Sequence, residues 1–460
     1  MRMTGGARQR ALRTVCLAAV AMVTLVPGAR AQGPAPMEDD QVTIGFAQTL
    51  KPQLSTSSVA AGGGGVLGRK SNGSLLGIDS LPNFSSYFYR GGQESNGFDQ
   101  YTWPYTLVGN APGRKDDRDD DRHDDRGRDR ERWDRDDDRG TTWIGAPIIP
   151  VNLDMRNADG TERFVNGVRL YSDATKFVNA TLKSPVFSNA QFDTSRRPTQ
   201  YGDAIHRAQF YNVADEGWHT MLKPSVKPAR TMVLKRGTYA FALNADGTCC
   251  AYVLIDANAF VNALFPATSD NSDTASIMGS AERAGDIKTT DLATFLLPGA
   301  FLFTGGSTAN CCILGFHSYD LQAGDHSNGF RERRYVMNYS SWIQPGIFSG
   351  FSDITALSHE IAEAMSDPFV NNITPWWLDP TEQICQNDLE NGDVLEALDD
   401  PTYPMSLNGF TYHPQSVALL QWFAGQSPSS AYHGAYSFPG LNLLTEPSLS
   451  YKAGCTAPLK

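Results

Sequence analysis

The sequence lacks the long apolar runs and the basic charge that mark two large classes of protein. After the first 31 residues, no run reaches the roughly 18 apolar residues that a membrane-spanning helix needs, which argues against an integral membrane protein. The formal net charge is -11, which argues against a nucleic-acid partner bound by phosphate neutralisation.

Four motifs of common enzymes and metal sites are missing as well. The sequence contains no G-x-S-x-G elbow, which argues against a serine hydrolase of the α/β type. No Walker motif or dinucleotide-binding glycine fingerprint follows a predicted strand. The cysteines include no C-x-x-C pair, which argues against a thiolate metal cluster.

Charge is sparse outside one short segment. Residues 114–139 carry 23 charges, of which 10 are basic and 13 acidic, so 89 - 23 = 66 charges remain for the other 434 residues. The two signs alternate and no apolar face accompanies them. We therefore expect a disordered or solvated loop here, without chemistry of its own.

The N-terminus has the pattern of a secretory signal peptide. Four arginines and no acid precede an apolar stretch over residues 15–26, and Ala29 and Ala31 form a small-x-small cleavage site before Gln32. The apolar stretch is short for a membrane anchor. We expect residues 1–31 to be removed on export, which makes the net charge 34 - 50 = -16 and places the protein in an extracellular or periplasmic compartment.

Six cysteines remain after that removal, and an even number in an exported chain predicts disulfides. Two pairs are adjacent, Cys249 with Cys250 and Cys311 with Cys312. A ring closed between neighbouring residues is small, so we expect a cross-link between the two pairs. Cys385 would then join Cys455 and fasten the C-terminal tail.

Composition divides the chain into four parts. Residues 1–31 are the signal peptide, and residues 32–75 are a flexible leader rich in Gln, Ser, Gly and Pro. Residues 76–140 combine a Gly- and aromatic-rich segment of short strands with the charged run. Residues 141–460 alternate strand and helix patterns, which predicts an α+β domain. Within it we predict helices at 174–182, 201–210 and 353–365, a strand at 141–153 and buried strands at 292–304 and 312–319.

The clearest helical pattern, at residues 353–365, also carries the clearest chemistry. An apolar stripe recurs at helical spacing and consists of Ile354, Leu357, Ile361 and Met365. His359 and Glu363 fall on the opposite face one turn apart, with Glu360 beside them. Two ligands at i and i+4 with a carboxylate at i+1 are the arrangement of a zinc helix, in which the carboxylate acts as the general base.

The pattern differs from H-E-x-x-H because Glu363 takes the place of the second histidine. Zinc accepts oxygen ligands, but a second carboxylate also suits harder divalent metals such as manganese or calcium. The simplest alternative is that Glu360 and Glu363 are ordinary solvated acids on an exposed helix face.

A third ligand is expected from the segment Glu390-Asn391-Gly392-Asp393. Glu390 lies 390 - 359 = 31 residues after His359, and Asp393 is a candidate to accept the ring N–H of that histidine from the second shell. Three further candidates for the third ligand position stay open, namely Asp367, His413 and His317.

Two segments resemble a motif of the Exordium-like, phosphate-induced protein family and its secreted, metallopeptidase-like relatives. They are H-E-I-A-E-A-M-S-D-P at residues 359–368 and E-N-G-D at residues 390–393. The resemblance covers roughly residues 290–455. It implies export, a zincin-like mixed sheet with an active-site helix, the metal ligands His359, Glu363 and Glu390, and Glu360 as base. The sequence departs from the family pattern E-x-G-D-x-C, since its nearest cysteine, Cys385, precedes the motif.

Two functions follow from these patterns. The first is a secreted, zinc-dependent hydrolase of peptidase type, with a peptide or cell-surface substrate that pairs with the strand at 312–319. The alternative is a non-catalytic extracellular or cell-envelope-associated binding protein that uses a zincin-like scaffold.

Overall fold

The computed structural model describes residues 40–43, 77–89, 102–113, 140–267, 275–381, 384–448 and 455. The predicted signal peptide and the charged run at 114–139 lie outside the described residues, as does the predicted leader apart from residues 40–43. No helix among the described residues is long and apolar enough to cross a membrane.

The described residues form short helices between many strands. The α-helices are α1 (Thr175–Leu182), α2 (Tyr201–Gln209), α3 (Ala257–Leu264), α4 (Ile277–Arg283), α5 (Thr355–Ser366) and α6 (Leu420–Phe423). The strands are β1 (Ile78–Asp79), β2 (Asn83–Tyr89), β3 (Thr102–Val108), β4 (Thr141–Arg156), β5 (Phe164–Val165), β6 (Val168–Arg169), β7 (Tyr171–Ser172), β8 (His219–Val226), β9 (Arg230–Lys235), β10 (Tyr239–Leu243), β11 (Cys249–Asp256), β12 (Leu292–Pro298), β13 (Ala300–Phe303), β14 (Cys311–Ile313), β15 (Gly315–Gln322), β16 (Glu332–Trp342), β17 (Ile373–Leu378), β18 (Cys385–Asp388), β19 (Met405–Leu407), β20 (Phe410–Tyr412), β21 (Val417–Ala418) and β22 (Ser437–Phe438).

The central sheet is mostly parallel. Strand β4 pairs in parallel with β8, β9 and β12, and β12 pairs in parallel with β16. Strand β15 closes this side of the sheet by an antiparallel ladder with β16, in which His317 lies opposite Asn338. Residues 146–155 of β4 are all buried, and their near-continuous apolar run is the pattern expected of a strand covered on both faces.

Helix α5 is held against this sheet by its apolar stripe. Ile354, Leu357, Ile361 and Met365 are each at most 1% exposed and belong to one core cluster with strands of the central sheet. The opposite face is buried as well, because all twelve residues of α5 are covered. The alternative of an exposed acidic face is therefore wrong.

The chain segment that covers the opposite face of α5 comes from the C-terminal part. The Oγ atom of Ser358 accepts a 2.9 Å hydrogen bond from the backbone N–H of Gln415, and Thr355 donates to the carbonyl of His413 over 2.8 Å. These bonds place residues 413–415 along the helix. They bring a polar side chain, Gln415, to the face where an isolated helix would meet water.

A second, four-stranded sheet has the order β10-β11-β13-β14, and Gln41 adds a bridge beside β10. The predicted cross-link between the two cysteine pairs is wrong: Cys249 bonds to Cys250, and Cys311 to Cys312. Strand β13 lies between β11 and β14, so about 9 to 10 Å of sheet separates the two neighbourhoods. The predicted Cys385–Cys455 disulfide is confirmed.

Most of the predicted elements correspond to observed ones. The helices expected at 174–182, 201–210 and 353–365 are α1, α2 and α5. The apolar run at 292–304 forms two strands, β12 and β13, because the chain turns at Gly299 with a φ of 54°. The fold is mixed, with a parallel central sheet and few helices, and is compatible with the predicted α+β class.

Candidate metal centre

Three parts of the fold meet beside helix α5. The helix supplies His359, Glu360 and Glu363, and strand β15 supplies His317. A loop after β18 supplies three acids, which are Glu390, Asp393 and Glu396. We call these seven residues the His–carboxylate cluster. Each is at most 8% exposed, and His359, Glu360, Glu363 and Glu390 are completely buried.

The ring of His359 is oriented by Gln415. The Nε2 amide of Gln415 donates to the carbonyl of Gly392 over 2.7 Å, so its Oε1 atom is the one that lies 2.8 Å from His359 Nδ1. Nδ1 therefore carries a proton, because an amide oxygen only accepts hydrogen bonds. The remaining nitrogen, Nε2, points towards carboxylates, as the ligating nitrogen of a metal-bound histidine does.

His359 Nε2 lies 3.1 Å from Glu363 Oε2 and 3.3 Å from Asp393 Oδ1. Neither Nε2 nor Glu363 Oε2 has a hydrogen-bond partner in the described part of the chain. When Nε2 is unprotonated, these atoms face each other as two acceptors. A cation between them satisfies both.

Glu363 is fixed through its other oxygen, Oε1, which accepts a 3.0 Å hydrogen bond from the backbone N–H of Gly392. Glycine is needed at this position, since a Cβ atom there would lie 2.3 Å from His359 Nδ1. The loop thus approaches the helix closely enough to orient Glu363 with its backbone and to support Gln415 with its carbonyl.

His317 reaches the cluster from strand β15. Its Nδ1 atom is 3.5 Å from Glu363 Oε2, 3.8 Å from Glu360 Oε2 and 3.9 Å from Glu390 Oε2. Two ligands bound at about 2.1 Å in a tetrahedral site are roughly 3.4 Å apart, so these separations suit donors of one coordination sphere.

Three groups of donor atoms each converge within 4.8 Å. One joins His317, Glu363 and Glu390, another joins His359, Glu360 and Glu363, and the last joins His359, Asp393 and Glu396. None of the three groups found among the described residues is the predicted set of His359, Glu363 and Glu390. Glu363 instead connects His359 on one side with His317 and Glu390 on the other.

The other two candidates for the third ligand lie in different surroundings. The carboxylate of Asp367 accepts the backbone N–H groups of Asn371 and Asn372, both at 3.0 Å, and so holds the turn after α5. His413 lies 2.6 Å from Asp353 Oδ2 at the start of the same helix. Of the three open candidates, only His317 joins the cluster.

In this cluster, burial and the neighbouring charges shift the pKa values in opposite directions. Burial lowers the pKa of His359, but Glu363 and Asp393 outweigh it and raise that pKa well above its usual value. Burial likewise raises the pKa of Glu363, but the two histidines hold it below the usual value. Glu360 differs, because burial dominates and raises its pKa to about 8.

Sequence reasoning did not anticipate the roles of Gln415 and Glu396. Gln415 accepts the Nδ1–H of His359, while Asp393, the candidate for such a contact, lies 3.3 Å from the other ring nitrogen. Glu396 was not predicted at all, although it lies only three residues after Asp393. Gln415 had no signal in the sequence, because its approach to the helix depends on a contact between residues 56 positions apart.

The cluster satisfies the chemical requirements of a metal site. It is buried, it is rich in nitrogen and carboxylate oxygen donors, and several of these donors have no hydrogen-bond partner among the described residues. Buried charges of this density are usually paired or bound to metal. These His, Glu and Asp groups can therefore hold a metal ion.

Comparison with known proteins adds no further constraint. No family model matches the chain, and no curated protein or solved structure is significantly similar to it. The motif at residues 359–368 and the geometry around it are therefore the basis for any functional assignment.

Proposed function

We propose that the protein is an exported, metal-dependent hydrolase of peptidase type. The observation that carries this proposal is the meeting of His317, His359 and Glu363 in one buried space beside Glu360. The two histidines, Glu363 and Glu390 are the residues that would hold at least one divalent ion, with zinc favoured by the nitrogen donors. The chemistry that a bound zinc ion supplies is acidification of water and polarisation of a carbonyl.

Glu360 is the general base in this proposal. Both of its oxygens lack a hydrogen-bond partner in the described residues, so they are available to accept a proton. Its pKa is raised to about 8, mainly by burial, and a general base works best when its pKa is near the working pH. Gly315 leaves room for the carboxylate, since a Cβ atom there would lie 2.6 Å from Glu360 Oε1.

The zincin-like scaffold and the substrate class belong to the same proposal. Strand β15 is antiparallel to its neighbour and carries His317, and it lies beside the helix with the H-E-x-x-E pattern. An extended peptide or a cell-surface polypeptide is the substrate that such a strand suits. The resemblance of residues 359–368 and 390–393 to secreted Exordium-like proteins supports export and the zincin-like scaffold in this proposal.

A second candidate is a non-catalytic extracellular or envelope-associated protein in which the metal has a structural role. Complete burial of His359, Glu360, Glu363 and Glu390 favours it, because structural metal sites are closed to solvent. In that case Glu360 contributes to the charge of the site and no substrate reaches it.

The test is peptide hydrolysis by the zinc-loaded protein and its Glu360→Gln variant, with Glu216→Gln as a matched surface control. We expect Glu360→Gln to keep its metal and to lose at least about 100-fold in hydrolysis rate. Equal rates in Glu360→Gln and the control would show that the base is assigned wrongly. Metal binding without hydrolysis of any peptide by the wild type would favour the structural candidate.

Export is tested separately by N-terminal sequencing of the protein recovered from outside the cytoplasm of an expression host. A new N-terminus at Gln32 is expected. Recovery of the uncleaved chain from the cytoplasm alone would contradict this part of the proposal.

A further inference from the structure

The His–carboxylate cluster contains two groups of possible metal ligands that share no residue. One set is His317, Glu363 and Glu390, and the other is His359 with Asp393 and Glu396. Within each set the donor atoms lie within 4.8 Å of one another, and every member is buried.

The two sets are in direct contact through Glu363 and His359. Glu363 Oε2 lies 3.5 Å from His317 Nδ1 in its own set and 3.1 Å from His359 Nε2 in the other. The second oxygen of Glu363 is held by the backbone N–H of Gly392. The Oε2 atom is thus positioned next to both histidines.

We infer that the cluster is a two-metal centre, with one divalent ion bound by His317, Glu363 and Glu390 and a second bound by His359, Asp393 and Glu396. The inference rests on the proposed function, since it requires that the cluster binds metal. It goes beyond that proposal in the number of ions and in the role of Asp393 and Glu396 as ligands.

Charge balance supports two ions. Each set combines one histidine with two carboxylates, so one divalent cation neutralises each set when its histidine is neutral. A single divalent ion balances only two of these four carboxylates. Burial of carboxylate charge in a protein interior is costly unless it is paired with a cation or bound to a metal.

The orientation of His359 supports the second site independently. Its Nδ1 atom donates to Gln415, which leaves Nε2 as the ligating nitrogen. Nε2 is fully buried, has no hydrogen-bond partner among the described residues, and lies 3.3 Å from Asp393 Oδ1. An imidazole paired with two carboxylates suits manganese, iron or zinc in the divalent state.

The experiment is metal stoichiometry of the full chain after removal of metal and titration with Mn²⁺ alone. We expect two ions per wild-type chain and one ion per chain in the double variant Asp393→Asn/Glu396→Gln. The control variant Glu216→Gln should keep two, because its side chain is 59% exposed. One ion per wild-type chain would overturn the inference and leave the proposed function standing, and no bound ion would overturn both.

Electron paramagnetic resonance of the Mn²⁺-loaded wild type provides a readout that does not depend on the folding of any variant. Two Mn²⁺ ions held in adjacent ligand sets couple magnetically, because the sets are in contact at Glu363 and His359, and the coupling replaces the six-line spectrum of an isolated ion. We expect the coupled spectrum at saturation. A six-line spectrum from bound Mn²⁺ at every loading would overturn the two-metal centre.

Discussion

Replacement of Gly392 by alanine tests how the loop orients the metal site. The new Cβ atom would lie 2.3 Å from Nδ1, 2.5 Å from Cε1 and 2.8 Å from Cγ of His359. The backbone itself accepts alanine, because φ at this residue is -80°. The perturbation is therefore steric, and it acts on a ring that is held by Gln415 at 2.8 Å.

Two effects of known size follow from this clash. Overpacking of a buried site costs about 1 to 3 kcal/mol in the free energy of unfolding. Displacement of the His359 ring also disturbs its hydrogen bond to Gln415, and loss of such a support typically weakens metal binding 10- to 100-fold. We therefore expect Gly392→Ala to bind metal at least about 10-fold more weakly than the wild type.

The matched control is Gly202→Ala, which overpacks the same helix at a distance from the metal donors. Its Cβ atom would lie 2.3 Å from the Sδ atom of Met365, a flexible side chain that can move aside. Urea unfolding in EDTA measures the metal-free stability of both variants, and calorimetric titration with Zn²⁺ measures affinity. Wild-type affinity in Gly392→Ala, or an equal loss in both variants, would show that the close approach of Gly392 does not orient the His359 ring for metal binding.

Three further predictions concern other parts of the molecule. Burial and the neighbouring Asp320 raise the pKa of Glu282 to about 9. The folded state therefore retains a proton that the unfolded state loses, so the free energy of unfolding should fall as the pH rises from about 4.5 to 9. Glu282→Gln should flatten this dependence in urea unfolding measured at pH 5 and pH 8. Replacement of Cys385 and Cys455 by serine opens a loop of 70 residues and should lower the free energy of unfolding by up to about 4 kcal/mol. Gln415→Leu removes an acceptor at 2.8 Å and should weaken Zn²⁺ binding about 10-fold in calorimetry.

Each of these predictions has a result that would contradict it. An unchanged pH dependence in Glu282→Gln would mean that the buried acid ionises normally in the folded protein. Equal stability of the wild type and the variant with serine at positions 385 and 455 would mean that the C-terminal disulfide does not restrict the unfolded chain. Unaltered Zn²⁺ affinity in Gln415→Leu would remove the argument for the orientation of the histidine.

Local patterns predicted the helix and the approach of two candidate ligands on the face opposite its apolar stripe. The stripe from Ile354 to Met365 depends only on residues within one helix, and His359 and Glu363 approach each other because they are one turn apart. The burial of the polar face was not predictable in this way. It depends on residues 413–415, which reach the helix from a distant part of the sequence.

Long-range pairing also explains why the composition of the His–carboxylate cluster was only partly anticipated. His317 joins the cluster because β15 pairs with β16 and lies beside α5, an arrangement that no local pattern contains. The cysteine prediction failed for the same kind of reason, since the position of β13 between β11 and β14 is a property of the sheet. Glu390 was predicted from its spacing and from the resemblance, and it does lie next to Glu363 in the structure.

The central claim is that the buried His–carboxylate cluster binds a divalent metal ion. The most direct test is elemental analysis of the purified full chain, followed by unfolding with and without EDTA. We expect at least one divalent ion per chain and a gain of about 2.7 kcal/mol in the free energy of unfolding at a metal concentration 100 times the Kd. A protein that purifies without metal, and whose stability does not change when Zn²⁺ or Mn²⁺ is added, would contradict it.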